Sequence, residues 1–127
     1  MTDETRKLVL VADDDVDILA LVKLRLERAG YEVQTAHDGI EAIEAIDLRM
    51  PDLAVIDVMM PRMDGHEVVR TLRTRPDTAR LPILILTAAV HDRVAQASSD
   101  AGADAHMRKP FSPRELVEKI DSLLARA

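Results

Sequence analysis

The sequence predicts a doubly wound α/β fold, in which five parallel strands alternate with five helices. Three observations support this prediction: continuous apolar runs of strand length, helical spacing of the apolar residues between them, and capping residues at the junctions. Continuous apolar runs indicate strands that are covered on both faces, as in a parallel sheet. We expect one domain spanning residues 1–127, because single domains most often have ~100–150 residues.

The first strand, helix and edge strand are predicted within residues 8–35. Residues 8–12 (LVLVA) are continuously apolar. The next segment stops at Gly30, a residue type that commonly caps a helix C-terminus, and either Asp15 or Asp17 is expected as its N-cap. Residues 31–35 alternate in polarity, which indicates an edge strand. The apolar residues at helical spacing in the first helix are Ile18, Leu19, Val22 and Leu26.

The next two helices enclose a third strand. Asp38 and Glu41 have the spacing of a capping box, which predicts a helix N-terminus. Residues 51–52 (PD) interrupt the chain before the apolar run 53–56, and Pro76 ends the following helix. The predicted apolar stripes are Ile40, Ile43 and Ile46 in the second helix and Val68, Val69 and Leu72 in the third.

The last third of the chain completes the alternation. Pro82 leads into the apolar run 83–86, at a strand start where a missing N–H is tolerated. Residues 91–100 have helical spacing with a thin apolar stripe, residues 104–107 form a weak final strand, and residues 112–115 (SPRE) form a capping box for the last helix. The expected apolar residues are Val94 and Ala97, then Leu116, Ile120, Leu123 and Leu124.

The strand pattern also predicts where a ligand binds. Continuous apolar runs place strands one, three and four in the centre of the sheet and strands two and five at its edges, which favours the order 2-1-3-4-5. In open parallel sheets, ligands bind beyond the carboxyl ends of the strands, where the strand order reverses. The polar residues expected at that edge are Asp13, Asp14, Asp15, Asp57, Thr87 and Lys109.

These residue types together indicate phosphoryl transfer. Converging carboxylates repel one another and therefore attract a cation, and Mg²⁺ prefers carboxylate, water and phosphate oxygens. Lys109 and Thr87 supply a charge and a hydroxyl suited to phosphate oxygens. Against this stands a purely structural interpretation, in which the aspartates cap helices and Lys109 is a solvated charge.

Composition excludes several other classes of function. A net charge of −6 opposes binding to a phosphate backbone, and Tyr31 and Phe111 are too few aromatic residues for stacking on bases. The absence of cysteine excludes disulfides and thiolate metal sites. With no long apolar segment in the sequence, we expect a cytoplasmic protein with no direct nucleic-acid or membrane partner.

Six motifs carry a resemblance to a known family. In their order and spacing they resemble the response-regulator receiver domains of two-component signalling, including the chemotaxis receivers, over essentially the whole chain. The motifs are LVLVADDD (8–15), PDLAVID (51–57), MPRMDG (60–65), ILTA (85–88), AGAD (101–104) and KPF (109–111).

The resemblance implies a phosphorylation-dependent switch and a role for each site residue. Asp57 is then the phosphoacceptor and, with Asp13, Asp14 and the backbone carbonyl of Met59, holds Mg²⁺, with Mn²⁺ as an alternative. Thr87 and Lys109 are expected to bind the phosphoryl group. A cis bond is expected between Lys109 and Pro110.

The resemblance also implies partners. The phosphoryl donor is expected to be a sensor histidine kinase or a histidine phosphotransfer protein. A downstream protein or effector domain is expected to bind the face formed by the fourth helix, the fifth strand and the last helix. The receiver is expected to be a monomer or a phosphorylation-dependent dimer, although Ala105 replaces an acidic residue that often contributes to such a dimer.

His106 departs from the family pattern. It stands where an aromatic ring commonly couples phosphorylation to the output face, so we consider it, with Thr87, as a switch residue. Two hypotheses remain open: an ordinary substitution, or a switch that responds to pH because imidazole titrates near neutrality. Identical pH profiles of partner binding for wild type and His106→Phe would contradict the second.

Two other functions compete with the switch. An aspartate-nucleophile phosphatase carries a second aspartate two residues after the nucleophile, where this chain has Met59. Turnover of external substrates is therefore not expected, and the domain is expected to assist only its own phosphotransfer and dephosphorylation. A phosphorylation-independent interaction module usually lacks the acidic pair or the lysine, and this sequence keeps both.

Overall fold

The computed structural model describes residues 6–88, 97–99 and 101–126. Within these ranges it contains five strands and four complete helices, which alternate along the chain as predicted. The elements are β1 (Leu8–Ala12), α1 (Val16–Arg28), β2 (Glu32–Ala36), α2 (Gly39–Leu48), β3 (Leu53–Asp57), α3 (Gly65–Thr74), β4 (Ile83–Thr87), β5 (Ala105–Arg108) and the C-terminal helix α4 (Pro113–Arg126).

The five strands form one parallel sheet in the order β2-β1-β3-β4-β5, which confirms the predicted order. Every residue of β1, β3 and β4 is buried, whereas the edge strands β2 and β5 are partly exposed. The difference follows from position, because a central strand is covered on both faces and flanked on both sides.

The segment predicted as the fourth helix is described only in part. Residues 97–99 and 101 are helical, and Gly102, with φ +112°, follows them. Ser98 and Ala101 are buried. The rest of that prediction, including His91 and Val94, lies outside the described residues.

The core has two halves, one on each face of the sheet. Because side chains alternate along a strand, neighbouring residues of β1 join different halves: Val9 packs with α1 and α4, and Leu10 packs with α2 and α3. The predicted stripe of α2 is wrong at one position. Ile40 is 37% exposed and the buried residues are Gly39, Ala42 and Ile46.

The first turn of α2 explains that error. A Cβ at Gly39 would lie 2.1 Å from the carbonyl oxygen of Met63, so the helix approaches the neighbouring loop at this point. Residues 39, 42 and 46 therefore face inward, and Ile40 is turned toward solvent. The helical period is predicted correctly, but its rotation is not, because the close contact at a glycine has no hydrophobic signal.

The structure shows which of Asp15 and Asp17 caps α1, and how far the predicted capping box of α2 forms. Asp15, and not Asp17, caps α1: its carboxylate accepts hydrogen bonds from the backbone N–H groups of Asp17 and Ile18. The predicted capping box of α2 forms only in part. Asp38 accepts from the Glu41 N–H at 2.8 Å, but the Glu41 carboxylate accepts from the N–H of His37.

The two edge strands differ from the prediction by one residue at each end. β2 begins at Glu32, not at Tyr31, because the Tyr31 N–H still donates to Leu26 in the C-terminal turn of α1. β5 runs from Ala105 to Arg108. Within the described ranges, none of the helices is both long and apolar enough to cross a bilayer.

Gly65 packs the start of α3 directly against the end of β3. A Cβ at this residue would lie 2.3 Å from the Asp57 carbonyl oxygen. We therefore expect Gly65→Ala to lower the free energy of unfolding by about 2–3 kcal/mol, the upper part of the range of core overpacking, because the clash is with backbone. Urea denaturation measures this loss.

Gly30→Ala is the matched control for that substitution. Gly30 has φ +98°, and a Cβ at this residue would meet no other atom within 4 Å, so only backbone strain of about 1–2 kcal/mol applies. A Gly65→Ala loss no larger than the Gly30→Ala loss would contradict the steric interpretation.

Candidate functional site

The structure brings the predicted site residues together at the carboxyl edge of the sheet. Asp13 directly follows β1, and Asp57 and Thr87 are the last residues of β3 and β4. Lys109 directly follows β5. Since β1, β3, β4 and β5 are parallel neighbours, four short strands of similar register place these side chains at one edge.

Three carboxylates form a cluster at this edge. One carboxylate oxygen from each of Asp13, Asp14 and Asp57 lies within 4.8 Å of the others. Asp13 and Asp57 are buried, and Asp14 is exposed. One oxygen of Asp13 accepts a hydrogen bond from the Asp15 N–H at 3.0 Å, which orients the carboxylate at the end of β1. The cluster is thus reached from solvent on the side of Asp14.

Lys109 is the cation of the site. Its Nζ donates to Asp13 Oδ2 at 2.7 Å and lies 3.4 Å from Asp57 Oδ2. The backbone N–H of Lys109 donates to the Thr87 carbonyl at 2.7 Å, which ties the lysine to the end of β4. The peptide bond from Lys109 to Pro110 is cis, as the resemblance implies.

The electrostatics of the site are shaped by burial. Burial raises the pKa of Asp57 to about 6, and the negative charge of Asp13 adds to the shift. Lys109 and the backbone N–H of Met59 oppose it without cancelling it. Burial also lowers the pKa of Lys109, but the hydrogen bond to Asp13 and the charges of both aspartates outweigh burial, so that this pKa lies above its ordinary value.

The cluster therefore has more negative charge than one lysine can balance. Within the described residues, three carboxylates face the one ammonium group of Lys109, and converging carboxylates favour an additional cation. All the side-chain donors of the cluster are carboxylate oxygens, the type that hard divalent cations prefer. The donor set fits Mg²⁺ better than a softer metal, which would favour nitrogen or sulfur ligands.

The loop after β3 is fixed at the Asp57 end. The Val58 N–H donates to Leu86 and the Gly65 N–H donates to Val58 at 2.9 Å. Met59, predicted to contribute its carbonyl, lies in this loop with a side chain that is 71% exposed. Its backbone N–H donates to the Asp57 carboxylate, so this residue lies beside the cluster.

The two predicted switch residues differ in their surroundings. Thr87 is buried at the end of β4. His106 is exposed on the edge strand β5, paired in register with Ile85. The structure therefore places His106 two residues before the end of the sheet and outside the carboxylate cluster.

An apolar depression beside Lys109 is a feature that the sequence did not predict. It lies between α1 and the loop after β5, next to the carboxylate cluster. The sequence signal that could have indicated it is Leu21, an apolar residue that lies off the stripe of α1 and is exposed in the structure. The lining residues are Ile18, Leu21, Val22, Ala88, Lys109, Pro110 and Phe111.

Comparison with known proteins gives a consistent match over the whole described fold. The family model of the response regulator receiver domain matches residues 9–121. The response regulator MprA of Mycobacterium ulcerans is 48% identical over 120 residues, which cover 93% of this chain and 50% of MprA. The chain spans about half the length of the curated relatives it matches.

Solved structures show the same architecture. The chemotaxis response regulator CheY4 of Vibrio cholerae has a TM-score of 0.89 and 35% identity, with 94% of this chain and 99% of that chain covered. The receiver domain of the sensor histidine kinase PA1611 of Pseudomonas aeruginosa has a TM-score of 0.87 and 25% identity, with 95% and 99% covered. The PA1611 structure has a magnesium ion coordinated in its active site cleft.

The raised pKa of Asp57 leads to a pH-dependent effect on stability. Between its unfolded value of 3.8 and its folded value of about 6, the folded state binds more protons at Asp57. The free energy of unfolding therefore falls as the pH rises through this window. Asp57→Asn removes the penalty, and we expect it to stabilise the metal-free protein by up to about 3 kcal/mol at pH 7.5, since the shift spans about two pKa units of about 1.4 kcal/mol each.

Urea denaturation in EDTA at pH 4 and pH 7.5 measures this difference. The gain from Asp57→Asn should be small at the lower pH, where Asp57 is already protonated. Asp14→Asn is the matched control, because it removes a charge from the same cluster at an exposed position. A gain from Asp57→Asn that is independent of pH would show that burial of the charge is not its cause.

Proposed function

Because the chain belongs to the response regulator receiver domain family and is a phosphorylation-dependent signalling switch, we propose that Asp57 is the residue that accepts the phosphoryl group. The observation that carries this proposal is the convergence of three carboxylates and one lysine at the carboxyl edge of the sheet. Asp57 ends the central strand β3, and its carboxylate lies within reach of both the acidic residues after β1 and Lys109 Nζ, which is 3.4 Å away.

Asp13, Asp14, Asp57 and the backbone carbonyl of Met59 are the residues that would hold Mg²⁺, with Mn²⁺ as an alternative. Their oxygen donors and excess negative charge support this assignment. The magnesium ion in the PA1611 receiver supports it as well. When bound, the metal neutralises carboxylate charge and orients phosphoryl oxygens.

The residues of this chain then have distinct tasks in the transfer. A carboxylate oxygen of Asp57 attacks the phosphorus of a phosphohistidine; the new O–P bond forms as the N–P bond breaks, and the donor imidazole leaves. Lys109 Nζ, 3.4 Å from Asp57 Oδ2, moves from Asp13 to a phosphoryl oxygen. Thr87 turns its hydroxyl toward another phosphoryl oxygen.

The added charge drives the change of state. A phosphoryl group contributes about −1.5 to −2 charges at neutral pH, next to a buried cluster that already has too few cations. Movement of Thr87 relieves this, and the change reaches the residue after β5 through the hydrogen bond from the Lys109 N–H to the Thr87 carbonyl. His106, exposed on β5, is a second switch residue, whether or not it responds to pH.

The catalytic role of the domain is confined to its own phosphoryl group. Met59 occupies the position at which a phosphatase carries its general acid, so turnover of external substrates is not part of the proposal. The domain assists phosphotransfer to Asp57 and hydrolysis of the resulting acyl phosphate, because the ammonium group of Lys109 stabilises the negative charge in the transition states of both reactions.

The donor is a sensor histidine kinase or a histidine phosphotransfer protein. It must bring a phosphohistidine to the carboxyl edge, where the apolar depression beside Lys109 offers it a surface. The output surface includes β5 and α4, and a downstream protein or effector domain binds there. We place the receiver domain, residues 1–127, in the cytoplasm as a monomer or a phosphorylation-dependent dimer, with no direct nucleic-acid or membrane partner.

Intact mass after incubation with acetyl phosphate tests the proposal. We expect wild type to gain one phosphoryl group in the presence of Mg²⁺ and none in EDTA, and Asp57→Asn to gain none in either. Asp14→Asn should gain it more slowly, because one metal ligand has lost its charge.

Asp15→Asn is the matched control in this experiment. Asp15 neighbours the cluster but serves as the N-cap of α1, a task that asparagine also performs, so its uptake should equal that of wild type. Lack of uptake by folded wild type, both from acetyl phosphate and from a panel of phosphorylated histidine kinases, would favour the phosphorylation-independent module. Uptake by Asp57→Asn would move the phosphoacceptor elsewhere.

A further inference from the structure

Arg62 has an unusual backbone conformation in the loop that follows Asp57. Its φ is +66°, and it is the one non-glycine residue with positive φ among the described residues. This region disfavours residues that have a Cβ. Such a conformation persists only where the surroundings hold it, and it often occurs beside functional sites. The contacts of the Arg62 side chain explain why this backbone conformation persists here.

Arg62 forms an ion pair with Asp38, the N-cap of α2. Both Nε and Nη2 of Arg62 lie 2.9 Å from Asp38 Oδ2. The other oxygen of Asp38 accepts the Glu41 N–H. The hydrogen bond from Glu41 contributes most to holding the pKa of Asp38 below its ordinary value, and Arg62 adds to it. Asp38 is thus an ionised and buried carboxylate at the start of α2, to which Arg62 is bound.

A second contact fixes the same stretch of the loop. The first turn of α2 approaches so closely that a Cβ at Gly39 would meet the Met63 carbonyl oxygen at 2.1 Å. Within the loop, the Met63 N–H donates to the Pro61 carbonyl at 2.7 Å, which closes a tight turn around Arg62. Residues 61–63 are therefore held against α2 by both the backbone and the side chain.

Met59 lies between this anchor and the phosphoacceptor. On one side its N–H donates to the Asp57 carboxylate. On the other side, three residues further along, Arg62 connects the chain to α2. The position of the Met59 carbonyl is therefore determined by two fixed points, one in the carboxylate cluster and one on a helix that contributes no member of that cluster.

We propose that the Arg62–Asp38 ion pair is a positioning device for the metal site: by anchoring residues 61–63 to α2, it holds the Met59 carbonyl where Mg²⁺ can use it. This inference rests on the proposed function, because it requires a metal at the carboxylate cluster. Groups that orient metal ligands commonly contribute about 10–100-fold to metal affinity. Arg62 and Asp38 would act through Met59, without contact with the metal.

Two substitutions separate this role from simple charge effects. Arg62→Gly keeps the left-handed turn without strain and removes a positive charge, which by electrostatics alone would strengthen Mg²⁺ binding. Asp38→Asn keeps the helix cap and removes a negative charge, which alone would weaken it. If the ion pair positions Met59, both substitutions weaken Mg²⁺ binding. The double variant should then bind Mg²⁺ no more weakly than the single variant with the lower affinity.

The measurement is the Mg²⁺ dissociation constant of the unphosphorylated protein, by calorimetric titration. We expect an increase of about tenfold for Arg62→Gly, at the lower end of the usual range. The urea midpoint of this variant in EDTA should be unchanged or higher, because the backbone strain is relieved. A purely structural ion pair would instead lower the midpoint and leave the dissociation constant unchanged.

Asp47→Asn is the matched control. It removes the ion pair between Asp47 and Arg75, whose charged atoms are 2.5 Å apart. This pair joins α2 to the end of α3, away from the loop that follows β3. Its Mg²⁺ dissociation constant should equal that of wild type. Unchanged or tighter binding by Arg62→Gly would overturn the inference alone, whereas absence of Mg²⁺ binding by wild type would overturn the metal site and the inference together.

Discussion

Two buried carboxylates, those of Asp13 and Asp57, lie close together at the ends of neighbouring strands. Their repulsion is unavoidable once β1 and β3 are adjacent, and the other features of the site respond to it. Lys109 bridges the two groups, the repulsion adds to the larger effect of burial in raising the pKa of Asp57, and the oxygen donors favour a hard cation. The fold therefore gathers an excess of negative charge at this edge of the sheet, and the cations of the site reduce that excess.

The order of the strands in the sheet connects the sequence to this excess of negative charge. Strands β1, β3 and β4 are buried throughout, so each ends in a polar residue only where the sheet itself ends. That is why the strand order, and the placement of Asp13, Asp57 and Thr87 at the carboxyl edge, could be predicted from the continuous apolar runs. A strand that is apolar on both faces ends at the first polar residue, and here that residue belongs to the site.

Features that depend on local backbone geometry could not be predicted in this way. Nothing in the sequence indicates that Arg62 is left-handed, because arginine has no preference for that region and the cause lies in Asp38, 24 positions earlier. The rotation of α2 escapes prediction for a similar reason, since it is set by the approach of Gly39 to Met63. Hydrophobic pattern predicts which residues are buried on average, whereas close contacts at single residues decide the final placement.

The bridge formed by Lys109 has a further consequence for how the protein works in a cell. Because the ammonium group of Lys109 already binds Asp13, a metal ion at the proposed site would replace part of an existing interaction instead of filling a bare cluster. In the metal-free protein, the negative charge of the aspartates is therefore already partly balanced by Lys109. Under the proposed function, a phosphoryl group would give Lys109 a new partner, so the switch would respond when the metal ion and the phosphoryl group are present together.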